Sequence, residues 1–241
     1  MKTLLLKLAG PMQAWGTSSD FEIRHTDLYP SKSAIIGMIA ACLGYKRNDD
    51  EKISDLNNLE FAVRIDQKGN MMRDFHIAKS YKPDGTFIRT YVTNRYYIED
   101  AVFVVALGSK DGDLIEELSL AFKNMYFQPF MGRRSLPLNA DFYLGLVEDD
   151  TLSAIVKTPW QAASWYKCKK GENVTIEIYA DSKLLKDNGR HLRRDKIISF
   201  SQKNRSFEYR YESKDVIKMH NIFFVENHDA FAAIGDEDVF V

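Results

Sequence analysis

An uninterrupted run of apolar, β-favouring residues at 101–107 constrains the fold of this chain more than any other feature. Such a run, without a charge or a turn former, is typical of a central strand that is buried on both faces. A helical pattern follows it. The apolar residues that recur there on one helix face are Leu114, Ile115, Leu118, Ala121, Phe122 and Met125, and Pro129 lies just beyond them.

The segments around this predicted strand and helix supply the other elements of a small α+β unit. Residues 3–8 favour a first strand, residues 34–43 favour a helix that ends at Gly44, residues 60–66 alternate like a half-buried strand, and residues 142–147 favour another strand. Four strands interleaved with two helices is the order of a ferredoxin-like, split βαβ unit. We therefore expect an antiparallel sheet with both helices on one face.

Residues 73–97 predict a projecting hairpin, because Pro83-Asp84-Gly85 favours a tight turn and the flanking residues are β-branched, aromatic and basic. Beyond residue 150 the patterns weaken, although residues 174–179 and 206–211 alternate like strands. The predicted organisation is a ferredoxin-like domain at 1–150 that carries the hairpin, and a small β-rich region at 151–241 that ends in an acidic tail.

Charge is distributed unevenly although the net charge of the 241 residues is only −1. Residues 183–214 hold ten Lys or Arg against four acids, whereas residues 226–241 hold five acids and no Lys or Arg. This asymmetry is compatible with a polyanionic partner, and equally with an ordinary solvated surface. Only Cys42 and Cys168 are present, and no apolar stretch approaches the roughly 20 residues of a membrane span, so the expected setting is the reducing cytosol.

Two segments near the amino terminus are candidates for phosphate and base binding. Gln13 and Trp15 lie in a glycine-containing loop after the first strand, where Trp15 either packs on the core or stacks a base. Ser31, Lys32 and Ser33 begin the first helix. The serines are credible caps, and helix-start amides beside hydroxyls and a cation also form a plausible phosphate seat.

A third candidate is the glycine turn at Gly132, which is followed by Arg133, Arg134 and Ser135. Planar guanidinium groups suit phosphates and base edges, although two arginines on a turn are also ordinary surface residues. In a ferredoxin-like unit the loop after the second helix lies near the loop after the first strand. The two loops are therefore expected to meet in one site.

The five histidines predict no metal site, since none of them lies at metal-ligand spacing from another or beside a cysteine cluster. No cofactor motif and no G-x-S-x-G elbow is present. His25 or His76 could act as a general base in RNA cleavage, assisted by Tyr91 or Lys79, but either histidine is also compatible with a polar surface role.

The stretches "LAGPMQAWG", "YPSKSAIIGMIAACLG", "RDFH" and "MGRRSLPL", in this order, resemble the CasD family over about residues 1–147. CasD is the subunit of type I-E CRISPR Cascade that holds the 5′ end of the guide RNA. The resemblance implies a ferredoxin-like fold of the RNA-recognition (RRM) or repeat-associated mysterious protein (RAMP) type, with a thumb hairpin and a small C-terminal part.

It also implies a cytoplasmic, non-catalytic subunit that caps the backbone filament, grips the 5′ handle of the CRISPR RNA and contacts the large subunit that reads the PAM. Target DNA would be met only indirectly, and no cofactor is implied. The residues that it places at the RNA are Gln13, Trp15, Arg24, His25, Ser31, Lys32, Ser33, Arg133, Arg134 and Ser135. Those that it places on the thumb, toward RNA and the neighbouring subunit, are Lys79, Lys82, Arg89 and Arg95.

The sequence departs from the family at Lys32, where an arginine is common, and in the acidic end from Glu226, which has no counterpart. Related subunits from type I-C systems cut the CRISPR repeat themselves. A metal-independent endoribonuclease of that kind therefore remains the competing hypothesis, and a general RNA-binding module outside CRISPR is a third.

Overall fold

The structure is a computed structural model that describes residues 1–18, 20, 22–185 and 189–224. Its strands, in chain order, are β1 (Lys2–Ala9), β2 (Met12–Gln13), β3 (Ile23–Arg24), β4 (Glu60–Gln67), β5 (Asn70–Tyr81), β6 (Phe87–Glu99), β7 (Val102–Ser109), β8 (Tyr143–Val147), β9 (Asn173–Asp181), β10 (Arg190–Ser199) and β11 (Ser206–His220). Its helices are α1 (Lys32–Cys42), α2 (Asp50–Asp55), α3 (Gly112–Lys123), α4 (Thr151–Lys157) and α5 (Ser164–Cys168). The fold is α+β, as predicted.

The apolar run at 101–107 forms β7 near the middle of a seven-stranded sheet, whose order is β10-β11-β9-β4-β7-β1-β8. Strand β7 pairs antiparallel with both β1 and β4. Its side chains alternate between two apolar cores, with Phe103 and Val105 in one and Val104 and Ala106 in the other. The prediction of a central strand buried on both faces is confirmed.

Helices α1 and α3 cover one face of the sheet, where Ile36, Ile39, Leu118 and Phe122 join the larger core. Helix α4 covers the opposite face, where Ile155 packs with Val104 and its neighbours. Each of the two main helices begins at a side-chain cap, Ser31 for α1 and Asp111 for α3, which satisfies amide groups that the first turn leaves free. No described helix is long and apolar enough to cross a membrane.

Strands β5 and β6 form the predicted hairpin, and they pair from Asn70 opposite Glu99 to Tyr81 opposite Phe87. The turn at Gly85 has a φ of +85°, and no atom lies within 4 Å of the position where a Cβ would be. The tip therefore stands in solvent. At the base of the hairpin, short strands β2 and β3 pair with β6 and tie it to the loops that follow β1.

The strands after residue 150 extend the main sheet, because β9 pairs with β4 and β11 pairs with β9. Several cations of the basic segment 183–214 lie inside this part of the fold. Arg193 and Arg210 are mostly buried and form ion pairs with carboxylates of the same chain, so the segment is only partly a surface feature. The acidic tail predicted from Glu226 lies outside the described residues.

Candidate nucleic-acid interface

The loop after β1 packs into the protein. The side chain of Gln13 donates to the carbonyl of Ala101 at 2.8 Å and accepts from the indole of Trp15 at 3.0 Å. Only 1% of Trp15 is exposed, so neither face of its ring is open to a base. The prediction that Gln13 and Trp15 contact RNA is corrected here, because the loop uses their hydrogen bonds to hold its own shape.

The start of α1 is also occupied from within. Ser31 caps the helix by accepting from the amide of Ala34 at 3.3 Å, and its hydroxyl lies 3.1 Å from that of Ser33. The amide of Lys32 donates to the Asp195 carboxylate at 2.8 Å. The dipole and the amide groups of a helix start favour an anion. The anion at this helix start is the carboxylate of Asp195 in β10. The predicted phosphate seat is corrected accordingly.

The ammonium group of Lys32 is buried as well. It lies 3.0 Å from the Asp181 carboxylate and donates to the carbonyls of Asn57 at 2.9 Å and Leu59 at 2.6 Å. Burial lowers the pKa of Lys32, against the opposing effect of Asp181. The same carboxylate pairs with Arg210. Lys32 therefore joins α1 to the C-terminal strands.

The loop after α3 meets the loop after β1, as the sequence predicted. The amide of Ala14 donates to the carbonyl of Met131 at 3.2 Å. Gly132 has a φ of +85°, and a Cβ built on it would lie 1.6 Å from the carbonyl oxygen of Ala14. Only glycine permits both the left-handed conformation and this approach.

The two arginines of the glycine turn have different environments. Arg133 packs over the ring of Tyr97 at 4.1 Å and donates to the carbonyls of Arg24 at 3.0 Å and Tyr96 at 2.9 Å. It thereby holds β3 against the base of the hairpin. Arg134 and Ser135 are exposed beside it. Arg133 is used within the fold, whereas Arg134 and Ser135 present polar groups to solvent.

Strand β3 brings two further predicted residues to the hairpin. It pairs in parallel with β6, which sets Arg24 beside Arg95 on one face. The imidazole of His25 stacks on the ring of Tyr96, with centroids 5.5 Å apart. Arg24 and His25 are exposed. The hairpin base therefore combines cations with flat rings.

Arg47 and Arg205 join this region, and the sequence patterns did not single them out. Arg205 is exposed, but partial desolvation lowers the pKa of its guanidinium, and the like charges of Arg47 and Arg24 lower it further. Arg205 also lies over the ring of Phe207, 5.1 Å from its centroid. The basic composition of residues 183–214 was the only signal in the sequence that pointed to Arg205.

We call Arg24, Arg47, Arg95 and Arg205 the arginine surface. Within the described part of the chain, no carboxylate forms an ion pair with any of the four, although the chain carries as many acidic as basic side chains overall. Like charges brought together without a counter-ion repel each other. A polyanion that bound here would relieve that repulsion.

The predicted thumb residues divide between the faces of the hairpin. Arg89 and Arg95 lie on one face, where Arg89 packs over Tyr91 at 4.1 Å. Lys79 lies on the other face among the exposed apolar residues Phe75, Ile77 and Val92, and Lys82 lies in the turn. Both faces of the hairpin therefore carry cations, Arg89 and Arg95 on one face and Arg73 and Lys79 on the other, and the second face also carries the exposed apolar side chains.

The candidate general bases lie in ordinary surroundings. The Nε2 atom of His76 is 3.3 Å from Asp74 on the exposed hairpin. His76 and Tyr91 share the cationic face, whereas Lys79 is on the opposite face. In the described ranges, no group of three His, Cys, Asp or Glu side chains is placed to hold a metal ion.

The sequence matches known CRISPR-associated proteins. Residues 3–211 match the family model described as CRISPR-associated protein (Cas_Cas5). The chain is 35% identical over 156 residues to the CRISPR system Cascade subunit CasD of Escherichia coli (strain K12), a match that covers 59% of this chain and 70% of that protein.

Solved structures agree in fold. A chain of a CRISPR RNA-guided surveillance complex superposes with a TM-score of 0.76 at 27% identity, over 96% of each chain. A crystal structure of a Cas protein superposes with a TM-score of 0.65 at 30% identity, over 89% of this chain and 94% of that one. These matches define the class of the molecule as a CRISPR-associated protein. The family model spans most of the sequence, and the chain belongs to the Cas5 family.

Proposed function

We propose that this protein is a non-catalytic subunit of a type I-E CRISPR Cascade complex in the cytoplasm. In this role it binds the 5′ handle of the CRISPR RNA, caps the backbone filament and supports RNA-guided recognition of target DNA in antiviral defence. The observation that carries the proposal is the uncompensated arginine surface at the base of a long hairpin, in a chain 35% identical to a Cascade subunit.

The topology supports the ferredoxin-like part of this proposal. Four strands of the sheet follow the order β8-β1-β7-β4, and each is antiparallel to its neighbours. Helices α1 and α3 connect them and lie on one face. This is the strand order that a split βαβ unit produces. On this assignment residues 1–150 form the RAMP-type domain with the hairpin as its thumb, and residues 151–241 form the small β-rich region.

The mechanism needs no reaction step. Arginine forks and exposed hydroxyls hold phosphates in a fixed register, and aromatic rings stack bases that are splayed out of the strand. Arg24, Arg205 and Arg134 are exposed and supply the phosphate contacts, and Tyr91, beside Arg89, and Tyr96, stacked on His25, supply the rings. Because binding releases counter-ions, affinity should fall steeply as salt is raised.

The two faces of the hairpin support two partners. The face of Arg89 and Arg95 suits the RNA backbone. The other face exposes the apolar side chains of Phe75, Ile77 and Val92, and an exposed apolar patch of this kind is typical of a protein–protein contact. We assign the apolar face to the neighbouring backbone subunit. The large PAM-reading subunit is the other proposed protein partner.

The proposal is tested by replacing Arg24 and Arg205 together with alanine in a chain co-expressed with the guide RNA and the other Cascade subunits. We expect the variant to fold, to retain less guide RNA and to show a shallower salt dependence, by about 0.7 in slope for each phosphate that is no longer bound. The control replaces Lys157 and Lys183, two exposed lysines paired with carboxylates, by alanine. Normal RNA retention in the arginine variant would refute the site.

The endoribonuclease alternative is tested separately. The purified chain is incubated in EDTA with labelled repeat RNA, alongside the His25→Ala and His76→Ala variants. Specific cleavage that either variant abolishes would replace the non-catalytic assignment. The position of Lys79 on the face opposite His76 and Tyr91 favours binding over catalysis at this hairpin.

A further inference from the structure

A cluster of lysines and aromatic rings around α5 has no part in the function described so far. The ammonium of Lys169 lies 5.3 Å from the ring centroid of Trp165, and that of Lys170 lies 4.7 Å from Tyr166. Lys167 lies 4.8 Å from the ring of Phe223. The rings of Trp165 and Tyr166 are themselves in edge contact, at 5.7 Å. Three cations and three rings therefore share one small surface.

This surface is held rigidly. The side-chain amide of Asn221, which is 2% exposed, donates to the carbonyls of Lys167 at 2.8 Å, Lys170 at 3.2 Å and Gly171 at 3.2 Å. These bonds fix the lysine-bearing turn against the end of β11. A turn that is already ordered loses little conformational entropy when a ligand binds.

The cluster also lies beside the base of the hairpin. The amide of Gln161 donates to the carboxylate of Asp66, and the amide of Ala163 donates to the side chain of Gln67 at 3.0 Å. Asp66 and Gln67 are the last residues of β4, and the hairpin begins three residues later at Asn70. The cluster therefore lies beside the base of the hairpin.

Charge and exposure define the ligand. In the described ranges, none of Lys167, Lys169 and Lys170 forms an ion pair with a carboxylate. Trp165 is 51% exposed, which leaves indole surface for a flat partner. Cations that follow a phosphate backbone, combined with an exposed ring that stacks a base, are the features by which proteins bind single strands.

We propose that Trp165, Lys167, Lys169 and Lys170 form a second binding site, for single-stranded nucleic acid, in which the indole stacks a base and the lysines contact phosphates. The site is distinct from the arginine surface and does not depend on the 5′-handle assignment. RNA and DNA share the phosphate and base chemistry that it recognises, and the experiment separates them.

Three labelled probes are titrated onto the full chain by fluorescence anisotropy: short oligouridylate, short oligothymidylate and a duplex of the same length. We expect a single strand to bind more tightly than the duplex, and the tighter of the two single strands identifies the source. Replacing all three lysines with alanine should make the negative slope of log K against log salt shallower by about 2. Trp165→Ala should weaken binding about 5- to 150-fold.

The control replaces Lys68, Lys157 and Lys183 with alanine, since these three lysines are exposed and are paired with carboxylates. Tryptophan fluorescence gives a local readout, because Trp15 and Trp160 are buried and only Trp165 can be quenched by a stacked base. Quenching should persist in the chain with Arg24→Ala and Arg205→Ala and vanish with Trp165→Phe. Equal binding by the lysine variant and its control, tighter binding of the duplex, or absence of quenching would each overturn the proposal.

Discussion

Replacing Lys32 by methionine separates the structural role of this residue from the phosphate-binding role that the sequence predicted. Methionine keeps most of the aliphatic stem and removes the ammonium group. The substitution therefore removes the ion pair with Asp181 at 3.0 Å and the hydrogen bonds to the carbonyls of Asn57 and Leu59. All of these interactions lie inside the protein, and they join α1 to β9 and to the segment that precedes β4.

The expected decrease in the free energy of unfolding depends on the partners that the Asp181 carboxylate keeps. Removing one partner of a buried ion pair typically costs about 3–5 kcal/mol, because the other charge is left unpaired. Asp181 keeps Arg210 at 3.2 Å and the amide of Phe61 at 3.0 Å, so we expect the lower end, about 3 kcal/mol. In a chain of this size each kcal/mol lowers the melting temperature by about 2–4 °C, which predicts a decrease of about 6–12 °C.

Thermal and urea unfolding measure this change, and RNA affinity is then measured at a temperature where both chains are folded. Lys183→Met is the control, since its ammonium is exposed and 3.9 Å from Glu60, and a surface pair of this kind contributes less than about 1 kcal/mol. We expect Lys32→Met to bind RNA like the wild type. A stable Lys32→Met chain that binds RNA weakly, with a shallower salt dependence, would refute the structural role and restore the phosphate seat.

Three further predictions test other parts of the fold. Gly132 and Gly85 have the same φ of +85°, so replacing either by alanine should lower the free energy of unfolding by about 1–2 kcal/mol. Gly132→Ala should cost about 1–3 kcal/mol more, because the new Cβ meets the backbone carbonyl of Ala14. Equal melting temperatures for the two variants would contradict the contact between the loops. Arg133→Ala should lower stability by about 2 kcal/mol, whereas Arg134→Ala should change it by less than about 0.5 kcal/mol; urea unfolding compares the two. Asp150→Ala should cost about 1 kcal/mol at neutral pH through loss of the α4 cap. Hydrogen bonding from Ser153 lowers the pKa of Asp150, so this stabilisation is present above the unfolded-state pKa and is lost as the pH falls through the folded-state pKa. Melting curves taken between neutral and strongly acidic pH should therefore converge for the two chains.

Local patterns predicted the elements well, because each depends on residues close together in the chain. The run at 101–107 became β7 (Val102–Ser109), and the helical spacing from Leu114 became α3 (Gly112–Lys123). Gly85 and the hairpin around it were predicted for the same reason: the turn chemistry is contained in a few neighbouring residues. The meeting of the two loops at Gly132 followed from the order of strands and helices.

The surroundings of the candidate functional residues were predicted less well, because the partners of a polar side chain are distant in sequence. A serine pair with a lysine at a helix start predicts an anion, and an anion is present, but only the fold shows that it is the carboxylate of Asp195. From the sequence, the ring of Trp15 could stack on a base, but in the structure that ring is buried.

The sequence by itself determined the strands, the helices, the hairpin and the family, since periodicity, turn residues and motif order are local properties. Only the tertiary structure decided which cations face solvent. Lys32 and Arg210 are turned inward by carboxylates from β9 and β10, whereas Arg24 and Arg205 remain without a described ion-pair partner although they come from opposite ends of the chain. Whether a charge is neutralised depends on which groups the fold brings within a few ångströms, and no local pattern encodes that distance.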